Sequence, residues 1–397
     1  MQIRTRIRSA VALGALFVAA CSDRPNTPTA PDASSSRAVQ TNAEAGHDYI
    51  VVLRDGERAA VSATSASLAA SVGARVKDEW QDALQGFVAT MSDDAAERLR
   101  RRSEVQFVEK DGPVQATATQ INAPSWGLRR IDDRFLPNDP NYTYNKTGAG
   151  VHVYIIDTGI RPTHLDFAGR VLPGFSVIPG GVIDCNGHGT HVSGTAAGRT
   201  YGVAKQAWIH PVRVLDCAGS GTFAGVIAGV NWVRANRVLP AVANLSLGGG
   251  FSAALNAAVN NLVAAGNVAT AVAAGNSGVN ACTQSPASAV NAVIVGATAS
   301  NDGRPAWSNF GPCLDLFAPG VSITSDWFSS NVATAVLSGT SMASPHVAGT
   351  LALVRQWAPA ASAVAVQNNV IANATPGIVV GAGAGSPNRL LFMGYIP

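Results

Sequence analysis

Charged residues are scarce in this sequence, and long hydrophobic stretches are almost absent. Asp, Glu, Lys and Arg make up 13% of the 397 residues, whereas roughly 25% is usual in soluble domains. A disordered chain and a nucleic-acid binder both need a charge density that this sequence lacks. Outside residues 9–20 the apolar runs are short and interrupted by Gly, Asn or Ser, so no other segment approaches a membrane span.

The few charges are also unevenly distributed. Residues 47–115 contain 21 charged side chains in 69 positions, whereas residues 116–397 contain 24 in 282, and no glutamate follows Glu109. This contrast predicts a small domain at 47–115 and a large domain at 116–397. Only ten acidic residues, all aspartates, remain in the large domain. Each of them is therefore a candidate for a specific task.

The N-terminus has the pattern of an export signal. Three arginines within the first eight residues precede the apolar stretch 10–20. Val-Ala-Ala-Cys, which ends at Cys21, resembles the cleavage box of bacterial lipoproteins. We therefore predict a signal peptide at 1–21 and a lipid on Cys21, with an ordinary secretory signal as the alternative. Residues 22–46 are rich in Pro and Ser, which predicts a flexible tether.

The remaining cysteines indicate disulfides. They are even in number and all fall in the large domain, as expected for an exported protein. Four cysteines allow three pairings, and their spacing does not select one. Free core thiols are the alternative, and zinc is disfavoured because no CxxC pair occurs. The four residues are Cys185, Cys217, Cys282 and Cys313.

The small domain shows a β-α-β-α-β pattern. This order with short loops predicts an antiparallel sheet covered by two helices on one face. It carries no combination of catalytic side chains. The strands are predicted at residues 48–53, 86–91 and 105–109, and the helices at 59–74 and 93–102.

The large domain alternates continuous apolar runs with helical stretches. Runs that are apolar at every position indicate strands covered on both faces, and hence a doubly wound α/β sheet of mostly parallel strands. In such sheets the active site gathers at the carboxyl ends of the strands. The strands are predicted at residues 151–156, 212–215, 242–247, 268–274 and 292–295, and the helices at 191–197, 222–237, 252–265 and 341–357.

Three chemically distinctive residues follow these strands or open helices. Asp157 follows the first strand, His188 lies between two glycines at a helix start, and Ser341 begins another helix, where unpaired N–H groups favour negative charge. Each alone could be a helix cap or a turn residue, but the chain order Asp, His, Ser is far more specific. A metal pair of His188 and His191 is disfavoured because the Glu of the HExxH motif is absent.

The segments around these residues resemble the signatures of the subtilisin-like serine proteases. Residues 126–391 are most similar to the proteinase K branch, particularly aqualysin-type enzymes, and residues 47–112 resemble the inhibitory propeptide of the family. The matching segments are Ile-Ile-Asp-Thr-Gly at 155–159, Gly-His-Gly-Thr-His-Val at 187–192, Gly-Thr-Ser-Met-Ala-Ser-Pro-His at 339–346, and the oxyanion-hole segment Ala-Ala-Gly-Asn at 273–276.

This resemblance implies a subtilisin-like doubly wound sheet preceded by a small α+β propeptide domain. It also implies that Ser341 attacks the scissile carbonyl while His188 takes its proton and Asp157 orients the imidazole. The side-chain amide of Asn276 and the Ser341 N–H would bind the oxyanion. No cofactor is needed for this chemistry.

The resemblance further assigns the substrate contacts. Protein or peptide substrates would bind as an extended strand between two backbone edges. The pocket for the residue before the cut has no charged member, which predicts broad specificity with an apolar or aromatic preference. One edge is Gly219, Ser220 and Gly221, the other is Ser246, Leu247 and Gly248, and the pocket is Ala273, Ala274 and Gly275.

The same relatives imply two disulfides and structural calcium. The pairs would be Cys185–Cys217 and Cys282–Cys313. A Ca²⁺ ion would be held by the Asp315 carboxylate with the carbonyls of Val290 and Ala292. A second calcium site would use Asp132, Asp133, Asp139 and Asn141. Related enzymes have an Asp at the position of Arg129, and the arginine puts this second site in doubt.

The expected protein is therefore a secreted serine endopeptidase made as a self-processing precursor. Its propeptide would act as an intramolecular inhibitor and be cut off near 116–118. Cys21 would anchor the precursor to the bacterial membrane, and the mature enzyme would be an extracellular monomer that binds no nucleic acid. An inactive binding relative and a structural lipoprotein are disfavoured because the triad is complete. A sedolisin-type protease is disfavoured because it would need a Glu in place of His188, and no glutamate follows Glu109.

Overall fold

The computed structural model describes residues 46–54, 61–82, 84–111 and 118–397. The predicted signal peptide with Cys21, residues 22–45 of the predicted tether, and residues 116 and 117 of the predicted cleavage region lie outside the described residues. Within the described part of the chain, no helix is long and apolar enough to cross a membrane. The chain divides into two compact units, with the boundary between Pro113 and Val114.

The described residues of the small unit form four antiparallel strands and two helices. The strands lie in the order β2-β3-β1-β4, and buried side chains such as Val51, Phe87 and Leu99 form the core. The elements are β1 (His47–Leu53), α1 (Val61–Val72), β2 (Arg75–Trp80), β3 (Gly86–Met91), α2 (Asp93–Arg100) and β4 (Val105–Lys110).

Strand β2 was not predicted from the sequence. Four of its six residues are charged, and such a segment gives no apolar alternation to detect. It forms the edge of the sheet beside β3. Charged side chains are common on edge strands, because they discourage pairing with another chain. The three-stranded prediction was therefore wrong by one edge strand.

The large unit is built on a nine-stranded sheet with the order β18-β19-β15-β14-β12-β10-β7-β9-β8. The pairs are parallel except β18 with β19. The strands of this sheet are β7 (His152–Asp157), β8 (Phe175–Ser176), β9 (Trp208–Arg213), β10 (Ala241–Leu245), β12 (Val268–Ala273), β14 (Val293–Thr298), β15 (Leu316–Pro319), β18 (Thr375–Pro376) and β19 (Arg389–Leu390).

Helices and short strands complete the large unit. The helices are α3 (Trp126–Ile131), α4 (His188–Ala197), α5 (Phe223–Asn236), α6 (Ala253–Ala264), α7 (Thr340–Trp357) and α8 (Ala363–Asn373). The strands outside the main sheet are β5 (Ala118–Gln120), β6 (Tyr142–Tyr144), β11 (Gly249–Gly250), β13 (Gln284–Ser285), β16 (Ile323–Asp326) and β17 (Thr334–Leu337).

The sheet is covered on both faces. Val153 and Ile155 of β7 belong to the core shared with α4, α7 and α8. Tyr154 and Ile156 belong to the core on the other face, shared with α5 and α6. Double coverage explains why the strands are apolar at nearly every position. The predicted doubly wound, mostly parallel sheet is confirmed.

Some elements differ from the prediction. The strand expected at 212–215 is β9, which begins at Trp208 and contains Pro211; the proline obscured its apolar pattern, because proline is disfavoured inside strands. Helices α3 and α8 and strands β15 to β17 were not predicted. The β16–β17 pair is a short hairpin whose outer strand is half exposed.

A buried lysine holds the first strand of the large unit. Strand β5 pairs with β6, and the ammonium of Lys205 donates to Gln120 Oε1 at 2.7 Å and to the Gly202 carbonyl at 3.0 Å. The same ammonium lies 5.1 Å from the ring centroid of Tyr142. Burial lowers the pKa of Lys205 to about 7. This cation thereby connects β5 to the loop that follows α4.

Candidate active site

The predicted catalytic side chains come from the same edge of the sheet. Asp157 is the last residue of β7, and Asn276 lies three residues beyond the end of β12. Because β7 and β12 both run parallel to β10 between them, their carboxyl ends meet at one edge. His188 is the first residue of α4 and Ser341 the second of α7.

Asp157 and His188 form a hydrogen-bonded pair. His188 Nδ1 lies 2.7 Å from Asp157 Oδ1, which also accepts the Thr158 N–H at 2.7 Å. The Asp157 side chain is fully buried, while that of His188 is 26% exposed. Burial disfavours the charged imidazolium, but the charge of Asp157 and this hydrogen bond outweigh it, so the pKa of His188 is raised above its usual 6.5. Because a carboxylate only accepts, Nδ1 carries the proton and Nε2 is left as the base.

The hydroxyl of Ser341 is hydrogen-bonded to a backbone carbonyl. Its Oγ donates to the Ser246 carbonyl at 3.2 Å, and among the described residues it makes no hydrogen bond to His188. Hydrogen bonds between a nucleophile and its base are often long in the absence of substrate and tighten when it binds. The Ser246 carbonyl belongs to one of the predicted substrate edges.

Two N–H donors, the Asn276 side-chain amide and the Ser341 backbone nitrogen, lie close together beside Gly339. Asn276 Oδ1 accepts from the backbone N–H of Thr340 at 2.8 Å and from its hydroxyl at 2.9 Å. These contacts use Oδ1 and so orient the amide, and its Nδ2 lies near the Ser341 nitrogen at Gly339. A Cβ atom placed on Gly339 would lie 3.5 Å from Asn276 Nδ2 and 3.6 Å from the Ser341 nitrogen. Both donors can therefore reach one small anionic group.

A chain of buried polar side chains supports Ser341 from behind. Ser246 Oγ donates to the Ser341 carbonyl at 2.8 Å, and Asn244 Nδ2 donates to Ser246 Oγ at 2.9 Å. The hydroxyl of Ser344 donates to Asn244 Oδ1 at 2.7 Å. Sequence analysis missed the roles of Asn244 and Ser344. The available signal was a polar Asn within the otherwise apolar β10.

A cleft of about 760 Å³ opens beside His188. It is lined by both predicted substrate segments, 219–221 and 246–248, and by apolar side chains including Leu215, Phe223 and Leu255. Apart from His188, no residue of its lining is ionisable. An extended peptide without a required charge fits this lining.

The predicted pocket residues for the side chain before the cut do not line this cleft. Ala273 ends β12, and Ala273 and Ala274 are both buried. Gly275 has φ of +101°, and a Cβ there would lie 2.3 Å from Gln284 Oε1, so only glycine fits. These three residues directly precede Asn276 in the chain, and the lining of the 760 Å³ cleft does not include them.

Both implied cysteine pairs are joined in the structure. Cys185–Cys217 links the segment before His188 to the segment before Gly219, with a sequence separation of 32 residues. The guanidinium of Arg213 donates to Cys185 Sγ at 3.0 Å. The second disulfide, Cys282–Cys313, has a separation of 31 residues. The first bond thus connects the loop before His188 to one of the predicted substrate edges.

The predicted ligands for calcium lie around one small cavity. A space of about 190 Å³ is lined by Val290, Ala292 and Asp315. Asp315 Oδ2 accepts the Ile294 N–H at 2.7 Å, and burial raises the pKa of Asp315 to about 6. A buried carboxylate beside a cavity is an oxygen donor of the kind that Ca²⁺ prefers. These residues fit a cation.

The second candidate calcium site is less well formed. Burial raises the pKa of Asp132 to about 7, and Asp133 and Asp139 are occupied by the local turn, where Asp133 Oδ2 accepts the Asp139 N–H at 2.9 Å. In the described ranges, no group of three or more His, Cys, Asp or Glu side chains is arranged to hold a metal.

Comparison with known proteins matches both units. A family model described as "Subtilase family" matches residues 148–392, and one described as "Peptidase inhibitor I9" matches residues 48–117. The chain is 48% identical over 405 residues to an extracellular serine proteinase of Thermus sp. (strain Rt41A), a match that covers 96% of this chain and 97% of that protein. It is 46% identical over 326 residues to alkaline serine exoprotease A of Vibrio alginolyticus, covering 80% of this chain and 60% of that protein.

A solved structure shares the fold. The crystal structure of a cold adapted subtilisin-like serine proteinase matches with a TM-score of 0.65 and 47% identity, covering 68% of this chain and 97% of that one. The chain therefore belongs to the subtilase family, as a serine proteinase with an I9-type inhibitor domain ahead of its protease domain. The predictions of the family, the fold class and the type of enzyme are confirmed.

Proposed function

We propose that this serine proteinase is a secreted endopeptidase that cuts proteins with Asp157, His188 and Ser341. The observation that carries the proposal is the 2.7 Å contact of His188 Nδ1 with the buried Asp157 carboxylate. This contact leaves His188 Nε2 unprotonated and able to accept the Ser341 proton. The mouth of the cleft, where His188 is partly exposed, is accessible to a peptide.

The reaction passes through an acyl-enzyme. Ser341 Oγ attacks the scissile carbonyl while its proton moves to His188 Nε2, and the carbonyl oxygen becomes an oxyanion. Asn276 Nδ2 and the Ser341 N–H donate hydrogen bonds to that oxyanion. His188 then gives the proton to the leaving amine, which breaks the C–N bond. Water, activated by the same imidazole, hydrolyses the ester and regenerates Ser341.

Substrate binds as a strand between residues 219–221 and 246–248. Backbone pairing gives little sequence preference, while the apolar lining of the cleft favours apolar or aromatic side chains. We assign the selectivity for the residue before the cut to the neighbourhood of Ala273, Ala274 and Gly275. The enzyme is expected to act as a monomer.

Maturation removes the inhibitor domain. Residues 1–21 serve as the signal, 22–46 as a tether, 47–115 as the inhibitory propeptide and 116–397 as the protease. The I9 match and the extracellular relative from Thermus support this order. Ser341 cuts its own chain near 116–118, and a lipid on Cys21 holds the precursor, but not the mature enzyme, at the membrane.

Structural calcium stabilises the protease without taking part in the reaction. Asp315 supplies the charged ligand, with backbone carbonyls of Val290 and Ala292 beside it. When bound, the ion neutralises a buried carboxylate and ties together the loops on either side of β14. The burial of Asp315 next to a cavity supports this assignment.

A serine-reactive fluorophosphonate tests the central assignment. Wild-type protein should be labelled at Ser341, and Ser341→Ala should be unlabelled and should accumulate as the uncut precursor in a host without other proteases. Removing the nucleophile of a subtilisin-like triad costs about 2 × 10⁶ in turnover. Labelling of the Ser341→Ala variant, or its normal maturation, would contradict the proposal.

A further inference from the structure

Asp184 carries a set of hydrogen bonds that the triad itself does not require. It lies in the loop before α4 and is 5% exposed. Its Oδ1 accepts from Thr158 Oγ1 at 3.0 Å, Asn186 N at 2.9 Å and Gly187 N at 2.8 Å. Its Oδ2 accepts from the nitrogen of Thr190 at 2.9 Å and from its hydroxyl at 2.6 Å. One carboxylate therefore accepts five hydrogen bonds.

The donors flank both members of the Asp157–His188 pair. Thr158 directly follows Asp157, two of the backbone donors directly precede His188, and Thr190 lies two residues after it. Thr158 Oγ1 also accepts the Gly189 N–H at 2.8 Å. The strand end that carries Asp157 and the helix start that carries His188 are thus joined through Asp184.

The loop around His188 depends on these hydrogen bonds, because side-chain packing cannot replace them. Gly187 has φ of +108°, and a Cβ there would lie 2.4 Å from the ring of Trp327. A Cβ on Gly189 would lie 2.2 Å from the Gly159 carbonyl oxygen. The residues on both sides of His188 must be glycines for the chains to approach this closely. They therefore offer no side chain that could hold His188 in position.

We infer that Asp184 is a positioning residue for the proposed triad, holding the backbone at Asp157 and at His188 so that their side chains meet. The inference rests on the proposed function, since it needs this pair to be catalytic. A carboxylate suits the task because both oxygens only accept, whereas an amide would turn an NH₂ group towards N–H donors. Hydrogen bonds to an ionised acceptor are also stronger than neutral ones.

Asp184 also contributes charge at His188. The ionisable groups facing this imidazole are Asp157 on β7, Asp184 on the preceding loop and His191 on α4. Burial disfavours protonation of His188, and the charges of Asp157 and, to a smaller extent, Asp184 raise its pKa above the usual value. A neutral residue at position 184 would therefore move the ionisation of His188 to lower pH as well as loosening the loop.

The test compares Asp184→Asn and Asp184→Glu with wild type in the processed enzyme. Asp184→Asn should lower kcat by up to about 10²-fold, the cost of misplacing a reacting group by roughly 1 Å, and should leave KM nearly unchanged. The acid limb of the kcat/KM profile should move to lower pH. Asp184→Glu keeps the charge but not the geometry, so it should lower kcat while leaving the acid limb in place.

Asp166→Asn is the matched control. Asp166 is also a buried aspartate, 8% exposed, within the short 3₁₀ helix Leu165–Phe167, and it accepts the backbone N–H of Thr200 at 2.8 Å. This variant should keep the wild-type kcat and pH profile. An unchanged kcat in Asp184→Asn, an equal loss in Asp166→Asn, or an acid limb that stays in place in Asp184→Asn would each overturn the inference.

A milder variant keeps the test decisive if Asp184→Asn fails to fold. Thr190→Val removes the 2.6 Å bond that the hydroxyl donates to Asp184 and the 3.1 Å bond that it accepts from the Arg161 N–H, but it keeps the 2.9 Å bond from the Thr190 nitrogen to Asp184. It should lower kcat several-fold with KM unchanged. A wild-type kcat in Thr190→Val would then overturn the inference. Failure of the proposed function is distinguishable, because it would appear as activity in Ser341→Ala, whatever the Asp184 variants do.

Discussion

In the small unit, charged side chains pair at the surface, whereas in the large unit several are buried. Lys77 and Asp48 are 2.6 Å apart with side chains 52% and 34% exposed. Arg130 and Asp302 of the large unit pair at 2.7 Å with side chains only 1% and 8% exposed. Exposed pairs are screened by water and contribute little, while a buried charge that loses its partner is costly. The stability of the large unit, which has few charges, should therefore depend more on each charged pair than the stability of the small unit does.

The largest effect is expected at the buried triad carboxylate. Asp157→Asn replaces a carboxylate that only accepts by an amide whose NH₂ group can face Nδ1 and favour the wrong imidazole tautomer, and kcat should fall by about 10⁴-fold with little change in the free energy of unfolding. Steady-state kinetics on a peptide substrate and denaturant unfolding of the same preparation measure both. A fall in kcat of less than 10-fold would show that the Asp157 carboxylate does not fix the tautomer of His188 as proposed.

Breaking the buried Arg130–Asp302 pair measures how much a buried charge pair contributes to the stability of the large unit. Asp302→Asn retains a residue that tolerates the observed φ of +62° but leaves Arg130 buried without its counter-charge. The free energy of unfolding should fall by about 3–5 kcal/mol. Unfolding is followed by tryptophan fluorescence in the Ser341→Ala background, because six of the seven tryptophans lie in the large unit. A change near zero would remove the contrast between the two units.

Removal of calcium should destabilise the large unit in a pH-dependent way. An ion present at 100 times its dissociation constant contributes about 2.7 kcal/mol. Since the pKa of Asp315 is raised to about 6, protons compete with the ion as the pH falls through that value. A chelator should therefore lower Tm clearly at pH 8 and much less at pH 5, and Asp315→Ala should show no chelator effect. An equal Tm with and without chelator in wild type at pH 8 would exclude the ion.

The pH dependence of activity reports the raised pKa of His188. The imidazole must be neutral to act as base, so kcat/KM should rise with pH through a single ionisation above 6.5. Protonated His188 is favoured in the folded state, so its stabilising contribution is present below pH 6.5 and is lost as pH rises through the folded pKa. An acid limb below 6.5 in the wild-type profile would contradict the charge effect of Asp157.

The smallest effect is expected at the surface of the small unit. Lys77→Met deletes the exposed pair with Asp48, and hydrogen exchange of peptides from β1 and β3 should not change measurably. The same measurement on the large unit of this variant serves as the internal control. Faster exchange in the sheet of the small unit would mean that its surface pairs matter as much as buried ones.

The sequence was sufficient to single out the proposed catalytic positions because each lies at an element boundary with a local signature. Asp157 ends a run of apolar residues, and His188 is flanked by glycines that the loop needs for close approach. Asp184 and Asn244 escaped detection because each has a partner far along the chain that the sequence pattern does not reveal: Thr158 is 26 positions from Asp184, and Ser344 is 100 from Asn244. Strand β2 was missed for a different reason, since an edge strand need not bury either face.

The buried ammonium of Lys205 limits what amine chemistry can do to the protease. The large unit contains only two lysines, and Lys205 is 6% exposed. Lys146, the other lysine of this unit, is partly exposed, so acylating or aldehyde reagents reach its side chain more readily than that of Lys205. Coupling to an aldehyde-activated support through lysine would attach every molecule at the same place and in the same orientation.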